Sequence, residues 1–241
     1  MQPYIFPYIG YFQLINAADK FVFYDDVTFI KQGWINRNNI LLNGKKYLFT
    51  IPVKNISSFA AINETYVSDK PFSWGKKLLS TFTQAYNKAP FFNEVFPLIE
   101  KVMSGSSNQS ISSVAKDSII SVMQYLNMQT EIVESSSIYN NSELKSEERI
   151  IDICQKENAD TYINAPGGMA LYQAKHFEVI KTILSFLEVV LERYHQFENE
   201  FVPGLSIIDV LMFNSVEEVR SMLANCRIDS KTASVPLSEG V

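Results

Sequence analysis

Two adjacent carboxylates, Asp25 and Asp26, follow a short apolar run at residues 21–24, and Lys31, Trp34, Asn36 and Arg37 come soon after. Two ionised carboxylates aimed into one pocket repel, which lifts one of them toward the working range of a general base. Successive strand-end residues point to opposite faces, so only one of the pair is expected to meet a ligand. Lys31 and Arg37 suit a phosphate or carboxylate, Arg through its bidentate fork and Lys as a point charge. Trp34 suits stacking on a sugar face, and the amides of Asn36 and Asn38 suit sugar hydroxyls. Gln2, Tyr4, Tyr8 and Tyr11 offer further polar tips. The plainer alternative is a solvated turn capped by the two carboxylates, with one core Trp and half-buried tyrosines.

These residues need elements to place them. Pro3 and Pro7 push the opening residues into extended geometry. Gly10 frees the backbone, and Tyr11, Phe12, Leu14, Ile15 and Ala18 then follow helical spacing. The run at 21–24 reads as a buried parallel strand, so loop, helix and strand form half of a βαβ unit. In open α/β sheets ligands gather at the carboxyl ends of strands, which is where Asp25 and Asp26 fall. Residues 39–53 read as a hairpin around a type I′ Asn43-Gly44 turn. Residues 73–86, 91–103 and 111–126 read as helices, a helical insertion spanning 71–127. A strand at 130–133, a helix from Ser146 through Cys154 and a strand at 160–164 follow. The last runs into Ala-Pro-Gly-Gly, where the amides of Gly167 and Gly168 could approach a ligand. Residues 177–194 fit helix and strand equally. Residues 206–213 and 215–223 read as closing helices, with Asp209 in an apolar pattern that demands a partner: an anchor first, catalytic second. The expectation is one α/β domain over 1–226, a Rossmann-like, mostly parallel sheet with a helical insertion and a β-hairpin, then a disordered tail at 227–241.

Composition narrows the classes. A net charge of −5 over 241 residues argues against a broad nucleic-acid surface. Two cysteines are too few for a disulfide framework, and Cys154 reads as a buried thiol. No signal peptide is visible, and the longest apolar stretch, 179–191, is interrupted by Lys181 and Glu188, so no transmembrane segment is expected. The expected compartment is the cytoplasm. No Cys/His spacing supports a metal site, and no Gly-x-Ser-x-Gly elbow frames a serine nucleophile. His176 and His195 read as surface or loop residues.

The motifs QPYIFPYIGYFQLI, DKFVFYDDVTFIKQGWINRN, LNGKKYLFTIPV, ADTYINAPGG and EFVPGLSIIDVLMFN together resemble the WbqC-like protein family. The resemblance implies a bacterial protein of O-antigen or surface-polysaccharide biosynthesis, and a transferase that attaches glycine to an amino sugar. A non-catalytic sugar-nucleotide-binding or scaffold protein of the same pathway is the alternative. The implied partner is a small-molecule or nucleotide-linked sugar; the implied donor is ATP-activated or otherwise activated aminoacyl. Such a reaction needs a deprotonated amine and stabilisation of an oxyanion, with Asp25 or Asp26 taking the proton. Family members carry apolar residues before Gln-Pro-Tyr, so a truncated first strand is expected here. The turn around Pro3 to Leu14 also resembles nucleotidyltransferase-like Rossmann folds, without the histidine pair common in them.

Overall fold

The opening turn is the hub of the larger part of the chain. A computed structural model describes residues 1–54, 59–70, 73–106, 108–198 and 200–231. The chain divides into two compact units, Met1–Ser136 with Val190–Asn225, and Ser137–Val189 with the strand Cys226–Lys231. The sequence had suggested a single domain over 1–226.

In the first unit, α1 (Ile9–Asn16) is buried along almost its whole length, from Ile9 to Ile15. A helix apolar on every face must be enclosed, and its one buried amide, Gln13, uses its nitrogen while its Oε1 has no hydrogen-bond partner among the described residues. Its Nε2 donates to the carbonyls of Val190 (3.1 Å), Met222 (2.8 Å) and Asn225 (3.0 Å). Before it, Phe6 sits at φ 41°, a left-handed geometry that is costly for a bulky residue. Its surroundings hold it there: Phe6 N–H donates to Ser118 Oγ, and Phe6 O accepts from Asn38 Nδ2 and Ser206 Oγ.

The strand β1 (Lys20–Val22) follows, then the hairpin of β2 (Arg37–Leu42) and β3 (Lys45–Thr50). Leu42 pairs with Lys45 across Asn43 and Gly44, whose φ values of 52° and 73° are those of a type I′ turn. Short β4 (Val53–Lys54) and β5 (Tyr66–Val67) pair antiparallel. The helices α2 (Trp74–Tyr86), α3 (Phe92–Ser104) and α4 (Ile111–Tyr125) realise the expected helical segment; residues 71–72 and 107 of it lie outside the described residues. Then β6 (Glu131–Val133) returns parallel to β1.

The second unit holds α5 (Ser146–Lys156), β7 (Thr161–Asn164), α6 (Ala174–Val179) and β8 (Ile183–Val189). β7 and β8 pair in parallel across α6, a small βαβ unit whose core is Cys154, Phe177, Leu184 and Phe186. Burial pushes the Cys154 thiol up to about 12, so it is an inert packing group. The ambiguous stretch 177–194 is thus split: a helix end, then a strand. The first unit closes with α7 (Ile207–Phe213) and α8 (Val216–Ala224).

Two expectations are corrected. Parallel pairing is confined among the described residues to β1–β6 and β7–β8, within separate small sheets, so this is a mixed α/β chain in which the described residues form no single mostly parallel, Rossmann-like sheet. The strands are two to seven residues long, and the Asn-Gly turn commits β2 to β3 alone. The start of the tail is also ordered: Cys226–Lys231 is β9, antiparallel to β8. Extended main chain satisfies its hydrogen bonds there against a strand edge, despite a polar sequence. Residues 232–241 lie outside the described residues. No helix among the described residues is long and apolar enough to cross a membrane.

Candidate functional site

The opening turn, α1 and the start of β2 enclose a cavity of about 530 Å³. Tyr4, Tyr8 and Tyr11 form one wall; Ile30, Trp34 and Ile35 form another, with Gln2, Asn38, Asn39, Met1, Gly33 and Gly204 completing it. Ligand cavities commonly fall between about 300 and 1,000 Å³, so the space suits a single sugar or similar ring.

Local geometry explains the tyrosine wall. Tyr8 is the residue before α1, and its N–H donates to Tyr4 Oη (3.1 Å). Tyr11 Oη donates to the Gln2 carbonyl (3.1 Å), and the Tyr4 and Tyr11 rings meet at 90° with centroids 5.4 Å apart. Gly10 makes room for Tyr8: a Cβ at that position would lie 2.6 Å from the Tyr8 ring and hydroxyl. Burial raises the hydroxyl pKa of Tyr4, Tyr8 and Tyr11, so all three stay protonated and act as donors near neutral pH.

The remaining polar groups are also neutral. Among the described residues, the Gln2 and Asn39 amides, the Tyr8 hydroxyl and the Trp34 indole N–H have no side-chain hydrogen bond within the protein. Asn38 is different: buried, with Nδ2 donating to Ile5 O (3.2 Å) and Phe6 O (2.6 Å), it pins the opening turn. The cavity therefore presents aromatic faces and unpaired neutral hydrogen-bonding groups, with no Asp, Glu, Lys or Arg in its lining. Such a surface matches an uncharged polyhydroxylated ring.

Only part of the expected site gathers here. Gln2, Tyr8 and Trp34 line the cavity; Asp25, Asp26, Lys31, Asn36 and Arg37 do not. Asp25 is 1% exposed. Its Oδ2 accepts from Ser112 Oγ (2.7 Å) and Lys116 Nζ (3.0 Å), and its Oδ1 from Ser135 Oγ (2.6 Å). Asp26 turns away to Ser136 Oγ. The two carboxylates thus serve separate partners, as alternation along an extended chain requires, and Asp25 reads as half of a buried ion pair. Asn36 is buried with Nδ2 on Ile51 O (2.7 Å), a strap to the end of the hairpin. Arg37 donates Nε to Gly33 O (2.7 Å), holding the loop that carries Trp34, while Lys31 is exposed.

The secondary candidates also have local explanations. Gly168 is buried where a Cβ would come 2.9 Å from Asn164 Nδ2, and its N–H bonds to Ala165 O; Gly167 has open space around it. Both belong to the second unit and neither lines the cavity. Asp209 is fully buried and accepts from Gln196 Nε2 (2.9 Å), Tyr86 Oη (3.3 Å) and Tyr194 Oη (3.3 Å). The helix it sits on is tied to the opening turn by its neighbours: Ser206 Oγ donates to Phe6 O and Ile207 N–H to Pro7 O. Burial pushes the Asp209 carboxyl up to about 7. Sequence reasoning passed over Asn39 and Ile30; the signal for Asn39 was its place one residue beyond Asn38, on the opposite face of a strand.

The sequence profile of the WbqC-like protein family matches residues 2–221. The chain belongs to the WbqC-like protein family. It is similar to an uncharacterized protein, Rv1507c, of Mycobacterium tuberculosis (strain ATCC 25618 / H37Rv), at 27% identity over 223 residues, covering 92% of this chain and 94% of that one. No solved structure matches. The family match covers eleven of the twelve cavity residues, from Gln2 to Gly204; Met1 falls just before it.

Proposed function

We propose that this WbqC-like protein holds an amino-sugar unit of a bacterial surface-polysaccharide precursor in the Tyr8–Trp34 cavity and transfers an aminoacyl group, glycine in the simplest case, to its amine. The observation that carries the reading is the cavity's chemistry: an aromatic wall with neutral, unpaired amide, hydroxyl and indole groups and no Asp, Glu, Lys or Arg in the lining. The precursor class and the reaction are those the family resemblance implies.

In such a transfer the sugar nitrogen attacks the acyl carbon, a C–N bond forms, the bond to the leaving group breaks, and the amine proton passes to the leaving group or solvent. In this reading Tyr8, a protonated hydroxyl in the cavity lining, donates to the developing oxyanion. Trp34 and Tyr4 position the ring. Asp25 supports the fold through Lys116 and is not assigned the role of base. A binding protein without turnover is the second reading, favoured by the absence of any carboxylate from the lining.

The test is incubation with nucleotide-linked amino sugars, with ATP and glycine or with glycyl-tRNA as donor, followed by mass spectrometry. An aminoacylated product that disappears in Tyr8→Phe supports the transferase. Saturable sugar binding without product under any donor supports the binder. Neither binding nor product refutes both.

A further inference from the structure

The cavity opens among exposed apolar side chains. Trp34 is 55% exposed and Ile30 59%, and both line it. On the adjoining hairpin, Asn39 pairs with Leu48, and directly opposed residues of an antiparallel pair project from the same face. Leu48, 47% exposed, therefore stands beside the cavity wall that Asn39 helps to form, with exposed Lys46 two residues before it on the same face of the outer strand. A monomeric protein rarely leaves Trp, Ile and Leu exposed together without a use for them.

Charge identifies the partner. Residues 27–63 contain Lys31, Arg37, Lys45, Lys46 and Lys54 and no Asp or Glu, so a chain of net charge −5 carries +5 in this segment and −10 elsewhere. Lys31 sits between Ile30 and Trp34 in sequence, and Lys45 and Lys46 precede Tyr47 and Leu48; all three lysines are exposed. Indole and aliphatic groups interleaved with lysine are the composition of surfaces that lie in the headgroup region of an anionic bilayer, the indole at headgroup depth and the ammonium groups on lipid phosphates. Exposed Ile and Leu favour lipid over an RNA backbone, which rewards stacking and charge but not aliphatic side chains.

We propose that the Ile30–Trp34 loop and the outer strand of the hairpin dock this protein peripherally on an anionic phospholipid surface, with the cavity opening toward the membrane. The substrate is then a sugar carried by a membrane-embedded lipid. The lipid contact rests on exposure and charge alone; the sugar in the cavity rests on the function proposed above.

The test uses the full chain and sedimentation with vesicles of phosphatidylglycerol and phosphatidylethanolamine, against vesicles of phosphatidylcholine. The anionic vesicles should capture the protein, added salt should weaken capture, and Lys45→Glu with Lys46→Glu should weaken it at least about tenfold. Leu48→Ser should weaken it several-fold without affecting sugar binding, because Leu48 does not line the cavity. In a Trp74→Phe background, Trp34 emission should shift to the blue on capture and be quenched by brominated lipid. No capture by anionic vesicles, or capture that survives the Lys45/Lys46 reversal with Trp34 emission unmoved, overturns the proposal. Binding to tRNA in place of vesicles overturns it in favour of an RNA surface. Sugar binding measured without vesicles is a separate readout, so its loss counts against the cavity assignment and leaves the lipid contact standing.

Discussion

Replacing Asp209 with Asn should make the protein less sensitive to rising pH, and the size of the effect follows from its burial. The carboxyl is fully enclosed, meets the neutral donors Gln196, Tyr86 and Tyr194, and is pushed from 3.8 up to about 7. Its folded pKa lies above its unfolded value, so the folded state favours the proton. The unfolded chain releases that proton near pH 4 while the folded one keeps it, and stability falls as pH rises from there until the folded group also ionises near 7. At 1.36 kcal/mol per pH unit, the full loss is about 4 kcal/mol, of which roughly 2–3 kcal/mol falls between pH 5 and pH 8. Asn has no proton to lose, but its amide nitrogen replaces an acceptor facing Tyr86, at a cost of about 1 kcal/mol. Asp209→Asn should therefore be less stable than wild type at pH 4 and more stable at pH 8. Urea unfolding midpoints across that range measure the crossing. Parallel profiles for the two proteins would refute the reasoning, showing that Asp209 does not titrate in this window.

Other perturbations follow from the same geometry. Asp25→Ala should cost about 3 kcal/mol of stability by stranding Lys116 among Ser112 and Ser135, seen as a lowered urea midpoint; unchanged stability with lost activity would restore Asp25 as a catalytic group. Gly10→Ala should displace the Tyr8 ring and weaken sugar binding at least about fivefold, the equivalent of roughly 1 kcal/mol, in calorimetric titration. Affinity for an N-acetylated, uncharged sugar should stay flat from pH 6.5 to pH 8.5 and between low and high salt, because no Asp, Glu, Lys or Arg lines the cavity; a steep dependence on either would place a charged residue at the sugar.

What could be read from the sequence was mostly local. The Asn43-Gly44 turn imposes its own geometry, and α2, α3 and α4 follow from amphipathic spacing. The apolar burial of α1 was visible in Tyr11, Phe12, Leu14 and Ile15. What could not be read was set by distant partners. Asp25 looks like half of a carboxylate pair until Lys116, on α4, claims it. Asn36 and Asn38 look like sugar ligands because an amide that straps buried backbone is chemically the same as one that holds a hydroxyl. Residues 177–194 could not choose between helix and strand alone; pairing with β7 and with the polar strand β9 decides for β8. The aromatic half of the candidate site was therefore legible, while in its charged half Asp25, Asp26 and Arg37 hold the fold together and Lys31 is exposed outside the cavity.

The central claim, that an amino-sugar ring occupies the Tyr8–Trp34 cavity, is tested most directly by titrating a Trp74→Phe protein with amino sugars and their nucleotide-linked forms while following Trp34 emission. The account predicts a saturable change in emission that is lost or at least about fivefold weakened in Tyr8→Phe and in Gly10→Ala. Saturable binding by calorimetry that leaves Trp34 emission untouched and survives both substitutions would contradict it.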